Sequence, residues 1–140
     1  MDYQNSLRTI RSLTITIRKL EEVIDRMTTR LTSHGVRYDK PNVQSSPGSG
    51  FEDVLAAIGD ISTRQYALIR QRDALISEIL PALDVLDDDE TLLIRFRFFG
   101  AMTYEEISAA MKHRQIQDLS PEATRKRVQR TIEKMKKHKI

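Results

Sequence analysis

From Ile10 to Leu31 the apolar residues Ile10, Leu13, Ile17, Leu20, Ile24, Met27 and Leu31 recur at spacings that alternate three and four without a break. Only a helix places such a series on one face, because a strand needs alternation at every second residue. The series is a heptad seam, with Ile10, Ile17, Ile24 and Leu31 at one core position and Leu13, Leu20 and Met27 at the other. Arg18, Lys19, Glu21, Glu22, Asp25 and Arg26 fall between these positions, on the solvated side. The many threonines lower helix propensity, but packing of a continuous seam outweighs that cost. A second stripe begins at Phe51 and runs through Val54, Ile58, Ile61, Leu68, Leu75 and Ile79. In it Gln65 and Arg72 occupy two core slots, and Leu55, Ile69 and Ile76 widen the face. Pro81 ends this helix or lies just past its end.

The stretch 34–50 between the seams reads as a flexible linker. Gly35 has the position of a C-cap, and Pro41, Ser45, Ser46, Pro47, Gly48, Ser49 and Gly50 are turn and coil residues. Two seams of similar length joined in this way most simply fold back as an antiparallel pair. Such a pair leaves apolar surface uncovered, which calls for either a partner chain or docking against the rest of the molecule. β-branched residues at one seam position with Leu at the other also suit a parallel homo-oligomer.

Several classes are excluded by what the chain lacks. It has no cysteine, so disulfides, thiolate metal sites and a Cys nucleophile are absent. Aromatics make up 6%, with five Gly and four Pro, too few for an all-β fold with its frequent turns. No apolar run approaches the roughly 18 residues of a membrane span, and Met1 to Leu20 carries polar residues throughout with no continuous apolar core, unlike a signal peptide. A cytoplasmic setting is therefore expected. Charge is unevenly spread: residues 112–140 hold ten basic and three acidic side chains, a net of +7, against a net of −4 for residues 1–111. A basic end on an acidic body reads either as a polyanion-binding segment or as a solvated cationic tail.

That basic end opens with an acidic cap. Asp84, Asp87, Asp88, Asp89 and Glu90 precede Thr91–Gly100, with Asp87 or Asp88 as N-cap and the other acids complementing the helix dipole. A short helix follows, with Leu92, Leu93, Phe96 and Phe99 expected inside and Gly100 as its stop. Thr103 and Glu106 form a capping box that opens a second helix carrying Ile107, Ala110 and Met111. Ser120 as N-cap, Pro121 at the first helical position and Glu122 in the first turn open a third. In it Val128, Ile132 and Met135 face inward with Thr124 and Thr131 alongside. Three short capped helices of this kind form a helix-turn-helix domain, whose third helix enters the DNA major groove.

The stretch from about Leu86 to Lys137 resembles region four of bacterial sigma factors. The resemblance is carried by the acid-capped Leu-Leu helix, the aromatic-Gly stop, the Thr103-Tyr104-Glu105-Glu106-Ile107-Ser108 segment and the Ser120-to-Met135 helix. The whole chain is similar to sigma-like proteins of phages and prophages, in which an N-terminal helical pair precedes the sigma-like end. The segment Tyr38–Pro47 shares in that similarity. Among such proteins the ArpU-type are regarded as late transcriptional regulators. The resemblance implies an all-α fold, with a helical pair and linker over residues 1–83 and a DNA-binding domain over residues 84–140. It implies duplex DNA as partner, with RNA polymerase as a further partner that region four contacts through the same fold.

Arg125, Lys126, Gln129 and Arg130 then lie on the outward side of the third helix, with Ser120 and Glu122 at its leading end. Arg127, Lys134, Lys136 and Lys137 flank it and suit phosphates. One departure stands out. Region four joins its second and third helices through about three residues, whereas Lys112 to Leu119 separates them here, with Arg114, Gln115 and Asp118 included. The insertion lengthens the second helix, tilts the third or supplies a contact of its own.

Nothing in the chain reads as catalytic. His34, His113 and His138 are far apart without partner spacing, Glu105 and Glu106 are capping residues, and Gly48-Ser49-Gly50 follows no strand. No enzyme activity, cofactor or metal site is expected. Two other classes remain beside the regulator: a packaging or assembly protein like a phage small terminase subunit, and a helical protein–protein adaptor. The inward face of the third helix is directly testable. Ile132→Asp places an unpaired charge in the core and is expected to abolish cooperative thermal unfolding followed by circular dichroism. A cooperative transition in that variant would show that the inward face is assigned wrongly.

Overall fold

The computed structural model describes residues 2–36 and 47–138, and every regular element among them is helical. Two long helices come first, α1 (Tyr3–Val36) and α2 (Pro47–Ile79). A 3-10 turn over Leu80–Val85 leads to α3 (Asp88–Ile94), which runs directly into a π-helical turn over Arg95–Phe99. α4 (Tyr104–His113) and α5 (Pro121–Lys137) complete the chain. Both long helices extend past the limits that their turn residues suggest. α1 continues through Gly35 to Val36, and α2 starts at Pro47, where a proline's missing N–H is no loss because first-turn donors have no intrahelical partner. Residues 37–46, the middle of the expected linker and most of Tyr38–Pro47, lie outside the described residues.

The chain divides into two compact units, one of Met1–Ile15 with Gln71–Ile140 and one of Thr16–Arg70. In the second, Ile17 is buried, and Leu20, Ile24, Met27 and Leu31 of α1 are half-buried, as are Val54, Ile58, Ile61 and Leu68 of α2. Gln65 fills its seam slot by joining the two helices. Its side-chain amide donates to the Ile17 carbonyl at 3.3 Å and to the Glu21 carboxylate at 2.6 Å, so the polar group in the seam is satisfied. The threonines are accommodated in a similar way. Thr9, Thr14, Thr32 and Thr63 each donate their hydroxyl to the carbonyl four residues back, at 2.9–3.0 Å.

The first unit holds the larger core. Leu93, Ile94, Phe98, Ile107, Met111, Val128, Ile132 and Met135 come from α3, the π turn, α4 and α5. Leu7 and Ile10 of α1, Ile79 of α2 and Leu83 of the 3-10 turn are buried in the same cluster. Residues 2–15 and 71–83, placed by sequence with the helical pair, thus pack with the three short helices. The apolar stripe of α1 also starts earlier than Ile10, since Leu7 has no exposed surface.

Each short helix opens on a side-chain cap. Asp87, not Asp88, caps α3: its carboxylate accepts from Glu90 N at 2.8 Å, and Glu90 accepts from Asp87 N at 3.0 Å. Thr103 and Glu106 exchange the equivalent bonds at 3.2 and 2.9 Å. Ser120 Oγ accepts from Ala123 N at 3.1 Å, with Pro121 at the first helical position. These reciprocal bonds satisfy donors that the helix itself cannot.

The buried side chains of α3 and the π turn differ in part from those expected. Leu93, Ile94 and Phe98 are buried, whereas Leu92, Phe96 and Phe99 are only half-buried. Ile94 and Phe98 are four residues apart and so share one face, and Leu92, Phe96 and Phe99 lie on its half-buried flank. Gly100 N bonds to Arg95 O at 2.8 Å and Met102 N to Phe96 O at 3.0 Å, closing the turn. Gly100 itself has an ordinary right-handed conformation, and the left-handed residue is Ala101, with φ 54°. Glycine is needed at 100 for space: a Cβ there would lie 3.1 Å from the Phe96 carbonyl oxygen. That oxygen is held by Met102 N and has little freedom to move away. Gly100→Ala is therefore expected to destabilise the fold by about 1 kcal/mol, and Thr103→Ala by a similar ~1 kcal/mol through loss of the cap. Urea unfolding of both variants checks this, and a Gly100→Ala midpoint at or above that of the parent would refute the steric assignment.

Candidate nucleic-acid interface

α5 is amphipathic in a simple sense. Thr124, Val128, Thr131, Ile132 and Met135 are buried, which leaves the rest of a cation-rich helix facing solvent or the flanks of neighbouring elements. Its leading end is fixed by Ser120 and Pro121, and its position against α4 is set by the long turn between them. α4 ends at His113, and Gln115, with φ 59°, reverses the chain. Ile116 N then bonds to Met111 O at 2.9 Å, and the Ile116 side chain packs on the core. Ser108 Oγ donates to the Leu119 carbonyl, which ties the end of the turn to α4. Gln117 accepts from the Arg127 guanidinium. The inserted residues do not lengthen α4 beyond His113, and they supply a contact of their own to α5.

The nine side chains singled out on α5 and its cap fall into two groups. Five are engaged within the unit. Ser120 spends its hydroxyl oxygen on the cap. Glu122 and Arg125 pair with each other, with Arg125 Nε 3.1 Å from Glu122 Oε2. That hydrogen bond is the main cause of a lowered Glu122 and a raised Arg125 pKa. Arg127 bonds to Gln117. Lys134 Nζ donates to Glu90 at 2.8 Å, and this bond is the main reason its pKa is raised. An exposed pair such as Glu122–Arg125 is weak and readily exchanged for another partner. Arg127 and Lys134 serve packing between elements as well as charge.

Lys126, Gln129 and Arg130 are exposed about two to three helical turns after the cap, and Lys137 is exposed in the last turn. Lys126, Gln129 and Arg130 line a shallow hollow of about 470 Å³ together with Gln4 of α1 and Ile132 and Glu133 of α5. Lys136 is tied down at 3.3 Å to Glu133 and 3.2 Å to Gln4. Gln4, Arg8 and Arg11 of α1 and Arg97 of the π turn also border α5, and sequence reasoning did not bring them to this site. Their only sequence signal is the three-residue spacing of Arg8 and Arg11, which places both beside the Leu7–Ile10 stripe on one helix flank.

Among the described residues no group of three or more His, Cys, Asp or Glu side chains is placed to hold a metal ion. His113 is exposed, and His138 Nδ1 lies 2.9 Å from the Lys134 carbonyl in the last turn of α5. No helix among the described residues is long and apolar enough to cross a membrane. Comparison with family models, with curated proteins and with solved structures finds no match to this chain.

The cap of α3 makes a pH-dependent contribution. Asp87 is held below the usual carboxylate range chiefly by the Glu90 N–H, with the Lys134 and Arg127 charges acting in the same direction. A carboxylate depressed by folding stabilises the fold above its unfolded pKa and ceases to do so as pH falls through the folded value. Thermal midpoints are therefore expected to fall on acidification from about pH 5 to about pH 3, and to fall less steeply in Asp87→Asn, which keeps an N-cap acceptor without the charge. Parallel curves for the two proteins would remove Asp87 from the titrating set.

Proposed function

We propose that this chain is a DNA-binding transcriptional regulator of phage or prophage type, in which α3, α4 and α5 form a helix-turn-helix similar to region four of sigma factors and α5 is the recognition helix. The observation that carries this reading is the two-sidedness of α5, whose five inward side chains are buried while Lys126, Gln129 and Arg130 stand exposed along its first three turns. A helix of this diameter fits the major groove, where residues of its first turns reach base edges and flanking cations meet phosphates. Gln129 has the amide needed to address an adenine edge, and Lys126 and Arg130 carry the donors that match guanine or phosphate. Arg125 becomes available by exchanging Glu122 for a phosphate. Lys137 extends the cationic edge beyond the groove-facing turns.

In this reading the long helices set the oligomeric state or recruit a partner such as RNA polymerase, and the protein works in the cytoplasm of a bacterial host. A symmetric dimer would present two copies of α5 to a two-fold site. The test is fluorescence anisotropy with a pool of duplexes at low and near-physiological salt. Contact with about five phosphates gives a slope of log affinity against log salt near −4 to −5, and Lys126→Ala with Arg130→Ala is expected to reduce that slope by about two. Selective binding that survives salt supports the regulator. Weak, unselective binding favours a packaging or assembly role, and no binding at low salt indicates a protein-interaction module.

A further inference from the structure

A second basic feature lies beside α5 and is built from three separate parts of the same unit. Gln4, Arg8 and Arg11 of α1 face Arg97 of the π turn, Tyr104 of α4 and Gln129 of α5 across a cleft of about 360 Å³. Three of the lining side chains are arginines and none is a carboxylate. Arg97 is fixed in place: its Nη1 donates to the Met102 carbonyl at 3.0 Å, and its guanidinium lies 3.9 Å from the centre of the Tyr104 ring. Burial lowers the Arg97 pKa and the nearby Arg11 charge adds to that, while Tyr104 opposes it and Glu105, which does not line the cleft, opposes it least. Arg11 Nε is buried without a hydrogen-bond partner.

Arg11 and Arg97, partly buried beside the exposed Arg8 with no counter-charge in the cleft lining, lose hydration and repel one another, which costs free energy. An oxyanion removes both penalties at once. Guanidinium groups present paired N–H donors whose spacing matches two oxygens of a phosphate, and a fixed, stacked arginine loses less freedom in binding than a free one. The cleft has ample room for a phosphate or a pyrophosphate, and it is the arginine lining that points to an oxyanion. Gln4, Gln129 and Ile132 also line the hollow that carries Lys126 and Arg130, so the basic surface is continuous along this flank of α5.

We propose that the cleft framed by Arg8, Arg11 and Arg97 is a phosphate-binding site, occupied by a phosphate of a nucleic-acid strand lying along α5 or by a small phosphorylated molecule. The strand form rests on the DNA-binding function proposed above, and the small-molecule form does not. The full chain is titrated with pyrophosphate while arginine Nε–Hε signals are followed by NMR, and separately with the duplex pool by anisotropy. Each titration is repeated with Arg8→Gln plus Arg11→Gln, with Arg8→Gln alone as the variant safe for folding, and with Lys126→Ala plus Arg130→Ala. Pyrophosphate is expected to shift the Arg8, Arg11 and Arg97 signals saturably. The double glutamine variant is expected to bind it at least about tenfold more weakly, and the Lys126/Arg130 variant equally well. If the glutamine variants also lose about one to two units of salt slope on duplexes, the site holds a strand phosphate. If duplex binding is unchanged while pyrophosphate binding is weakened, it holds a small phosphorylated molecule. No saturable arginine shifts, together with unaltered duplex binding in the glutamine variants, would overturn the site while leaving the DNA-binding reading intact. If the parent binds no duplex, that reading falls and the pyrophosphate arm alone decides the cleft.

Discussion

Leu7, Ile10 and Ile79 belong to the long helices, yet they are completely buried in the cluster formed by Leu93, Ile94, Ile107, Val128 and Met135. Each such side chain contributes roughly 1.5–3 kcal/mol when taken from water. The three together are therefore comparable with the whole net stability of a small domain, about 5–15 kcal/mol. The short helices α3, α4 and α5 do not carry enough apolar surface of their own to dispense with that contribution. The start of α1 and the end of α2 are consequently structural parts of the unit that presents α5. The same packing brings Gln4, Arg8 and Arg11 beside α5, so the chemistry of that flank follows from the way the core is completed.

What could be read from the sequence was whatever depends on neighbours within about one helical turn. The Thr103–Glu106 capping box and the Ser120–Pro121 start are short local patterns that appear in the structure with their hydrogen bonds in place, and of the two acids offered as cap for α3 the structure selects Asp87, paired with Glu90. The inward face of α5 follows from helical spacing alone. The buried set in α3 and the π turn followed only in part: Leu93 is buried as expected, but the series Leu92–Phe96–Phe99 and the pair Ile94–Phe98 both have helical spacing, and only packing decides between them. The partnerships Lys134–Glu90 and Arg127–Gln117 join residues that are 44 and 10 positions apart, and only the tertiary fold brings them together. Arg97 was hidden for a related reason: its neighbours Arg8 and Arg11 lie 89 and 86 positions away in the sequence.

α5 divides its cations between two tasks. Arg127 and Lys134 are held by Gln117 and Glu90, which orient the helix against the α4–α5 turn and against α3. Lys126 and Arg130 have no such restraint and lie on the exposed side. A basic helix with every charge outward would have strong self-repulsion and loose attachment. Assigning some of its charges to internal partners keeps the helix fixed while leaving a smaller set for a polyanion. Net charge counted along the sequence therefore overstates the cationic surface that a ligand meets.

Glu90 Oε1 accepts both from Asp87 N, at the start of α3, and from Lys134 Nζ, in the final turns of α5. Helix ends are ordinarily the parts of a fold that open first and independently, and amide exchange there is usually fast. Here one oxygen atom serves both ends. Opening the first turn of α3 releases Lys134, and loosening the end of α5 withdraws a partner from the cap. The first turn of α3 and the final turns of α5, 44 residues apart in sequence, are therefore linked through a single carboxylate oxygen.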